Sequence, residues 1–118
     1  MKLDLEKIKA SLDCDDAFVA QLFDSYITES TECVEGIQKA FDTKEWNKVG
    51  GAAHKMLGAT RIFDVAELIN LLDEIKTDAE KETHLDTIGE KIDKLKVLHK
   101  ESIESMNELK TRMEQLQH

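Results

Sequence analysis

The sequence predicts an all-α domain: an antiparallel up-down-up-down four-helix bundle with a short N-terminal helix and a long C-terminal helix. Three observations carry that reading. Proline is absent, and only five of the 118 residues are glycine. Aromatic residues make up 5% of the chain, and β-branched runs are missing. Apolar residues recur at steps of three and four almost throughout, with charged residues between them. That is the period of an amphipathic helix, not the alternation of a strand. Short links between the main helical stretches make antiparallel neighbours the expected arrangement.

The elements follow in order. Leu3, Leu5, Ile8 and Leu12 mark a short leading helix, and Asp13-Cys14-Asp15-Asp16 ends it and offers caps for the next. From about Asp16 to Phe41 a long helix carries Phe18, Val19, Leu22, Phe23, Tyr26, Cys33, Ile37 and Phe41 as an apolar face. Asp42 with Glu45 fits a capping box, and Phe41 with Trp46 fits a hydrophobic staple across it. The helix so started has Trp46, Val49, Ala53, Met56, Thr60 and Phe63 as its core stripe. Asp64 with Glu67, and Phe63 with Leu68, repeat the same device. The next helix uses Val65, Leu68, Ile69, Leu72 and Ile75, and Thr77 to Lys81 reads as a polar loop.

The final segment, from about Thr83, sets Leu85, Ile88, Ile92, Leu95, Met106, Leu109, Met113 and Leu116 on a heptad grid. The grid slips in its middle, where His99 and Ser102 fall on it while Leu98 and Ile103 flank it. As one helix the segment spans about 50 Å. Residues 103–118 are therefore expected to project or to pair with another chain. The whole, residues 1–118, reads as one domain with no internal repeat or linker.

The net charge of −9 disfavours nucleic acid, whose phosphates demand a basic footprint. No apolar stretch approaches the roughly 20 residues needed to span a membrane. The start, Met1-Lys2-Leu3-Asp4-Leu5-Glu6, turns acidic at once, unlike a signal peptide. Cys14 and Cys33 make no CxxC pair and read as free thiols in a reducing cytosol. A free-standing cytoplasmic protein is the expectation.

The helix around His54 is the unusual one. It contains Gly50, Gly51 and Gly58, although a glycine in a helix interior costs about 0.5–1 kcal/mol relative to alanine. His54 lies about 100° around from Ala53, at the border of the solvent face. Around it stand Asn47, Gly50, Gly51, Leu57, Gly58 and Arg61. The glycines leave the imidazole in a cleared patch that another protein's backbone or active site could approach. Glycines also serve close approach between helices of a bundle.

The run Ala53-His54-Lys55-Met56-Leu57-Gly58-Ala59-Thr60, followed by Leu68, Leu72 and Ile75, resembles the histidine-containing phosphotransfer (HPt) domain. The upstream helix and Lys44-Glu45-Trp46 fit as well, so the resemblance covers roughly Asp13 to Ile103. Members of that family are four-helix bundles that carry a phosphoryl group on one exposed histidine in two-component phosphorelays. They accept it from an aspartate of a receiver domain and pass it to another. The resemblance implies His54 as the phosphoacceptor, Gly58 as the glycine that keeps the site open, and Lys55 as a frequent neighbour. Its implied partners are receiver domains of a hybrid histidine kinase or a response regulator, with Mg²⁺ on the receiver and no cofactor on this chain.

One position departs from the family pattern. A lysine usual three residues after the histidine is replaced by Leu57. Arg61, on the same side as His54, is the candidate to neutralise the phosphoryl group in its place, with Lys55 and Lys48 weaker from the opposite side. Leu57 reads equally as an apolar docking rim or as the edge of the core.

The chemistry suits these residues. Imidazole, with an ordinary pKa of about 6.5, is largely neutral and nucleophilic near pH 7. Phosphoryl transfer needs mainly positioning and charge stabilisation. The chain has no P-loop and no kinase-type glycine loop, so it is expected not to phosphorylate itself, and it reads as a phosphocarrier, not an enzyme. No histidine follows a glutamate by three residues, which argues against a carboxylate metal site of the bundle type. His84, His99 and His118 read as solvated or peripheral. Two other readings compete: a helical adaptor that binds a receiver without relaying, and a coiled-coil dimer through the last helix, where a monomer is the main expectation.

Overall fold

The computed structural model describes residues 3–116, with side chains through Gln115. Leu116 as a packing residue and His118 lie outside the described side chains. The elements are α1 (Leu5–Leu12), α2 (Asp16–Asp42), α3 (Trp46–Thr60), a 3-10 turn (Arg61–Phe63), α4 (Ala66–Lys81) and α5 (Leu85–Leu116). The chain is all-helical over the described residues, as the periodicity predicts. Helices α2 to α5 form a closed ring in which each packs mainly on two neighbours, α2 on α3 and α5, α4 on α3 and α5.

Two long helices, α2 and α5, run along a molecule whose long axis is 50 Å. The α3–α4 hairpin covers one part of their length. Helix α1 closes the rest: residues 3–6 lie beside Leu109, Arg112 and Met113 of α5, and Lys7 pairs with Asp64 at 3.2 Å. Met106 and Met113 are buried. Through Met113, then, the last helix does not project; α1 lies against it and covers it.

Capping explains where α1 and α2 begin. Asp4 and Asp15 accept hydrogen bonds from the backbone N–H groups of Lys7 and Phe18, at 3.1 and 2.9 Å. The two expected capping boxes do not form. Asp42 is still inside α2, where it accepts a bond from Gln38 at 2.8 Å. Glu45 takes the N-cap position of α3, and its carboxylate accepts from Thr43 Oγ1 instead. Asp64 adopts a left-handed conformation at the end of the 3-10 turn, a backbone aspartate tolerates, and its side chain goes to Lys7. Val65 takes the cap position of α4. The Phe41–Trp46 staple does form, with ring centroids 6.1 Å apart.

The core is regular where the sequence looked irregular. Val19, Phe23, Tyr26, Ser30, Cys33, Ile37 and Ala40 of α2 are buried at alternating steps of four and three. On α5 the buried set is Ile88, Ile92, Leu95, His99, Ser102, Met106 and Met113, with Leu98 beside it. The heptad grid therefore runs through without a slip, and its polar members sit inside the bundle. His99 is not peripheral. Its Nε2 shares a 2.8 Å hydrogen bond with Ser30 Oγ, which occupies the matching position of α2. Ser102 Oγ donates to the Leu98 carbonyl at 2.9 Å. Burial pushes the His99 imidazole below the usual histidine pKa.

The segment Thr77–Lys81 is the last turns of α4, not a loop. Ala79 is 1% exposed, and Asp78 is buried with Lys91 as its partner and His84 Nδ1 at 3.3 Å. The polar sequence there serves a part-buried ion pair between α4 and α5. Cys14 and Cys33 are both free thiols.

Candidate functional site

Helix α3 divides cleanly by face. Val49, Gly50, Ala53, Met56, Leu57 and Thr60 are buried. Asn47, Lys48, Gly51, His54, Lys55, Gly58, Arg61 and Ile62 are exposed. The packing that fixes this rotation is strong at the far end. Thr60 Oγ1 donates to the Met56 carbonyl at 2.7 Å and also shares a 2.9 Å hydrogen bond with the buried Tyr26 hydroxyl. Phe63 packs against Phe23 and Tyr26 at 5.5 and 5.1 Å. With Thr60 and Phe63 held inward, His54 has to face out.

The five glycines separate into two kinds. Gly36, Gly50 and Gly89 sit where helices approach. A Cβ at Gly50 would come 3.1 Å from Glu80 Cγ and 3.7 Å from the Lys76 carbonyl oxygen; at Gly89 it would come 3.0 Å from the Phe41 ring. Gly51 and Gly58 have nothing within 4 Å of such an atom. They lie three residues before and four residues after His54, on its exposed face. No glycine has a positive φ, whereas Asp13, Lys44, Asp64, Glu82 and His84 all do. Glycine is thus absent from the turns that favour it and present in helices that do not. For Gly51 and Gly58 the packing supplies no reason.

Gly50, expected at the access rim, belongs elsewhere, and Leu57 takes the core reading of its two. Gly50 is buried against α4, so it is a helix-packing glycine and not part of the cleared patch. Leu57 is 2% exposed and is a core residue, not a docking rim. It lies about 20° from Gly50 around the helix, so it is directed at α4 just as Gly50 is.

The cations near His54 are distributed unevenly. Burial pushes the Cys33 thiol of α2 up, and the charge of the exposed Lys55 opposes that rise. Lys48 pairs with Glu45 at 3.0 Å. Arg61 stands at the end of α3 on the His54 side, where it lines a groove with Asp4, Lys7 and Ile62. Arg61 is about two turns from His54 on the same side, and the groove it lines is shared with α1, not with His54. Lys76 of α4 borders the same side of α3, since its backbone lies against Gly50. Nothing in the local sequence around His54 points to Lys76; it appears only when α4 is laid against α3. Among the described residues no three His, Cys, Asp or Glu side chains gather as a metal site, and no helix is long and apolar enough to cross a membrane.

An exposed imidazole, flanked by two uncovered glycines on a rigid bundle, agrees with the comparison to known families. The model of the Hpt domain family matches residues 21–118. No curated protein and no solved structure is similar enough to count as a match. The chain belongs to the Hpt domain family, whose members carry phosphoryl groups on histidine and interact with receiver domains in two-component signalling.

Proposed function

We propose that this chain is a phosphorelay intermediate that accepts a phosphoryl group on His54 from a receiver aspartate and returns it to an aspartate of another receiver. One observation carries the proposal. Gly51 and Gly58 each weaken α3 and pack against nothing, yet both clear the surface around the one histidine of that helix.

In the transfer, the ring nitrogen without a proton forms the N–P bond. The P–O bond to the aspartyl carboxylate breaks, and its electron pair stays on that carboxylate. The proton on the other ring nitrogen remains there, so the ring becomes cationic beside the phosphoryl dianion. The reverse step regenerates neutral imidazole. The chain supplies the nucleophile and positive charge around it; Mg²⁺ belongs to the receiver. Arg61, just past the end of α3, and less directly Lys55 supply that charge from the histidine's own segment. Gly51 and Gly58 admit the receiver. Lys48, held by Glu45, serves at the edge of its footprint.

Incubation with a phosphorylated receiver tests the reading. Acid-labile, base-stable label on the wild type that is absent from His54→Gln supports relay. Stable binding without label would mean an adaptor that docks on receivers and carries no phosphate.

A further inference from the structure

We infer that Lys76 of α4 supplies the charge for a phosphoryl group on His54 that the missing lysine at position 57 does not. The inference rests on the relay reading and assigns it a residue outside the histidine helix.

The geometry starts at Gly50. Its absent Cβ would touch Glu80 Cγ, the Lys76 carbonyl and Ala79 Cβ, at 3.1, 3.7 and 3.8 Å. Residues 76–80 of α4 are therefore level with Gly50. The two helices are antiparallel, so one turn onward along α3, at His54, is one turn back along α4. That brings the level to the region of Lys76, whose ammonium now rests toward Glu80 and whose flexible stem can swing to the His54 level. The rotation of α4 agrees. Leu72, Ile75 and Ala79 point into the bundle, and Asp78 turns to α5 through Lys91. Lys76 lies on the other flank, beside α3. His54 likewise lies about 40° outward from Gly50. The two side chains thus stand on opposite walls of the α3–α4 groove at its open edge.

The Lys76 side chain is 25% exposed, and its ammonium is 3.8 Å from Glu80, the long limit of an ion pair. A partner held so loosely is readily exchanged for a phosphoryl dianion, which accepts shorter charge-assisted hydrogen bonds. Position 57 is unavailable for the task because it is 2% exposed and filled by leucine. The lysine comes from the facing helix instead, with a long flexible stem able to follow the phosphoryl group.

The experiment compares wild type, Lys76→Gln, Lys76→Arg, Arg61→Ala and His54→Gln. Each is labelled by a phosphorylated receiver and, separately, by phosphoramidate, which needs no protein docking. Lys76→Gln is expected to lower phosphohistidine yield or lifetime about three- to tenfold with both donors. Lys76→Arg should restore most of it, and the deficit should shrink at high salt. Thermal melting of all variants checks that the fold is intact. Equal yield and lifetime in Lys76→Gln and wild type overturns the inference and leaves the relay standing, as does a deficit confined to Arg61→Ala. Absence of label on His54 in the wild type overturns both.

Discussion

His54 and His99 are both lone imidazoles on amphipathic helices, yet the two regions around them are built in opposite ways. Around His54 side chains have been removed: glycines stand at positions 51 and 58 and leave open surface. Around His99 side chains converge, with Ser30 bonded to the ring at 2.8 Å and heptad neighbours closing over it. One imidazole is given access and no fixed partner; the other is given a partner and no access. A nucleophile needs the first arrangement, whereas a buried polar group needs the second.

The sharpest way to break this contrast is to exchange the consequences. His54→Gln is expected to abolish phosphoryl uptake while leaving the unfolding midpoint unchanged. His99→Ala is expected to do the reverse. It removes a buried ring and leaves the Ser30 hydroxyl with only its 3.4 Å bond to the Ile27 carbonyl, at a cost of about 2–3 kcal/mol, yet below its melting temperature it should take up label normally. Urea unfolding and labelling of the same two preparations read both halves. Loss of label in a folded His99→Ala protein would mean that the buried region is part of the relay.

A second pair tests the glycines. Gly50→Leu forces a side chain into α4, where even the first carbon meets Glu80 Cγ at 3.1 Å, and should destabilise by about 1–3 kcal/mol. Gly58→Leu enters open space and should fold as well as wild type. It should nevertheless lose uptake from a receiver while still accepting label from phosphoramidate, because only the protein donor needs the cleared surface.

Much of this contrast was legible in the sequence, and its limits are instructive. The core stripe of α3 and the outward direction of His54 follow from helical period alone. Gly50, Gly51 and Gly58 could not be sorted, because which of them meets α4 depends on a partner helix distant in sequence. The same reason hid Lys76 and left Leu57 open between the rim and the core. In the sequence alone the α5 heptad slips, because His99 and Ser102 are polar. Its continuity becomes visible only when Ser30 of α2 is set opposite. The sequence misleads about capping at Asp42 and Asp64 for a different reason. Side-chain caps compete there with backbone closure, such as the 2.9 Å bond from Glu45 N–H to the Ala40 carbonyl, and the Asp64 carboxylate found Lys7 instead.

The buried region should also announce itself through pH. Burial lowers the His99 pKa, so folding favours the neutral ring. Above the ordinary value of about 6.5, both folded and unfolded chains hold it neutral and nothing is lost. As pH falls through that value the unfolded chain binds the proton first. Stability then declines until the pH passes the lower folded pKa. His99→Gln, which keeps a hydrogen-bonding group near Ser30, should flatten the slope of urea midpoint against pH in that window. An unchanged slope would mean that His99 titrates alike in both states.

The smallest expected effect bears most directly on why the exposed region exists. Gly51→Ala and Gly58→Ala each place a methyl in free space and relieve the helical cost of glycine, so each should stabilise by about 0.5–1 kcal/mol. Gly50→Ala should gain less, since Glu80 has to yield a few tenths of an ångström. A chain that leaves two such gains unused, both beside one histidine, keeps them open for something outside its own fold. If urea unfolding shows no gain at positions 51 and 58, the glycines are serving α3 itself. The open patch then loses its standing as a sign of a docking partner, and His54 is left with its exposure alone.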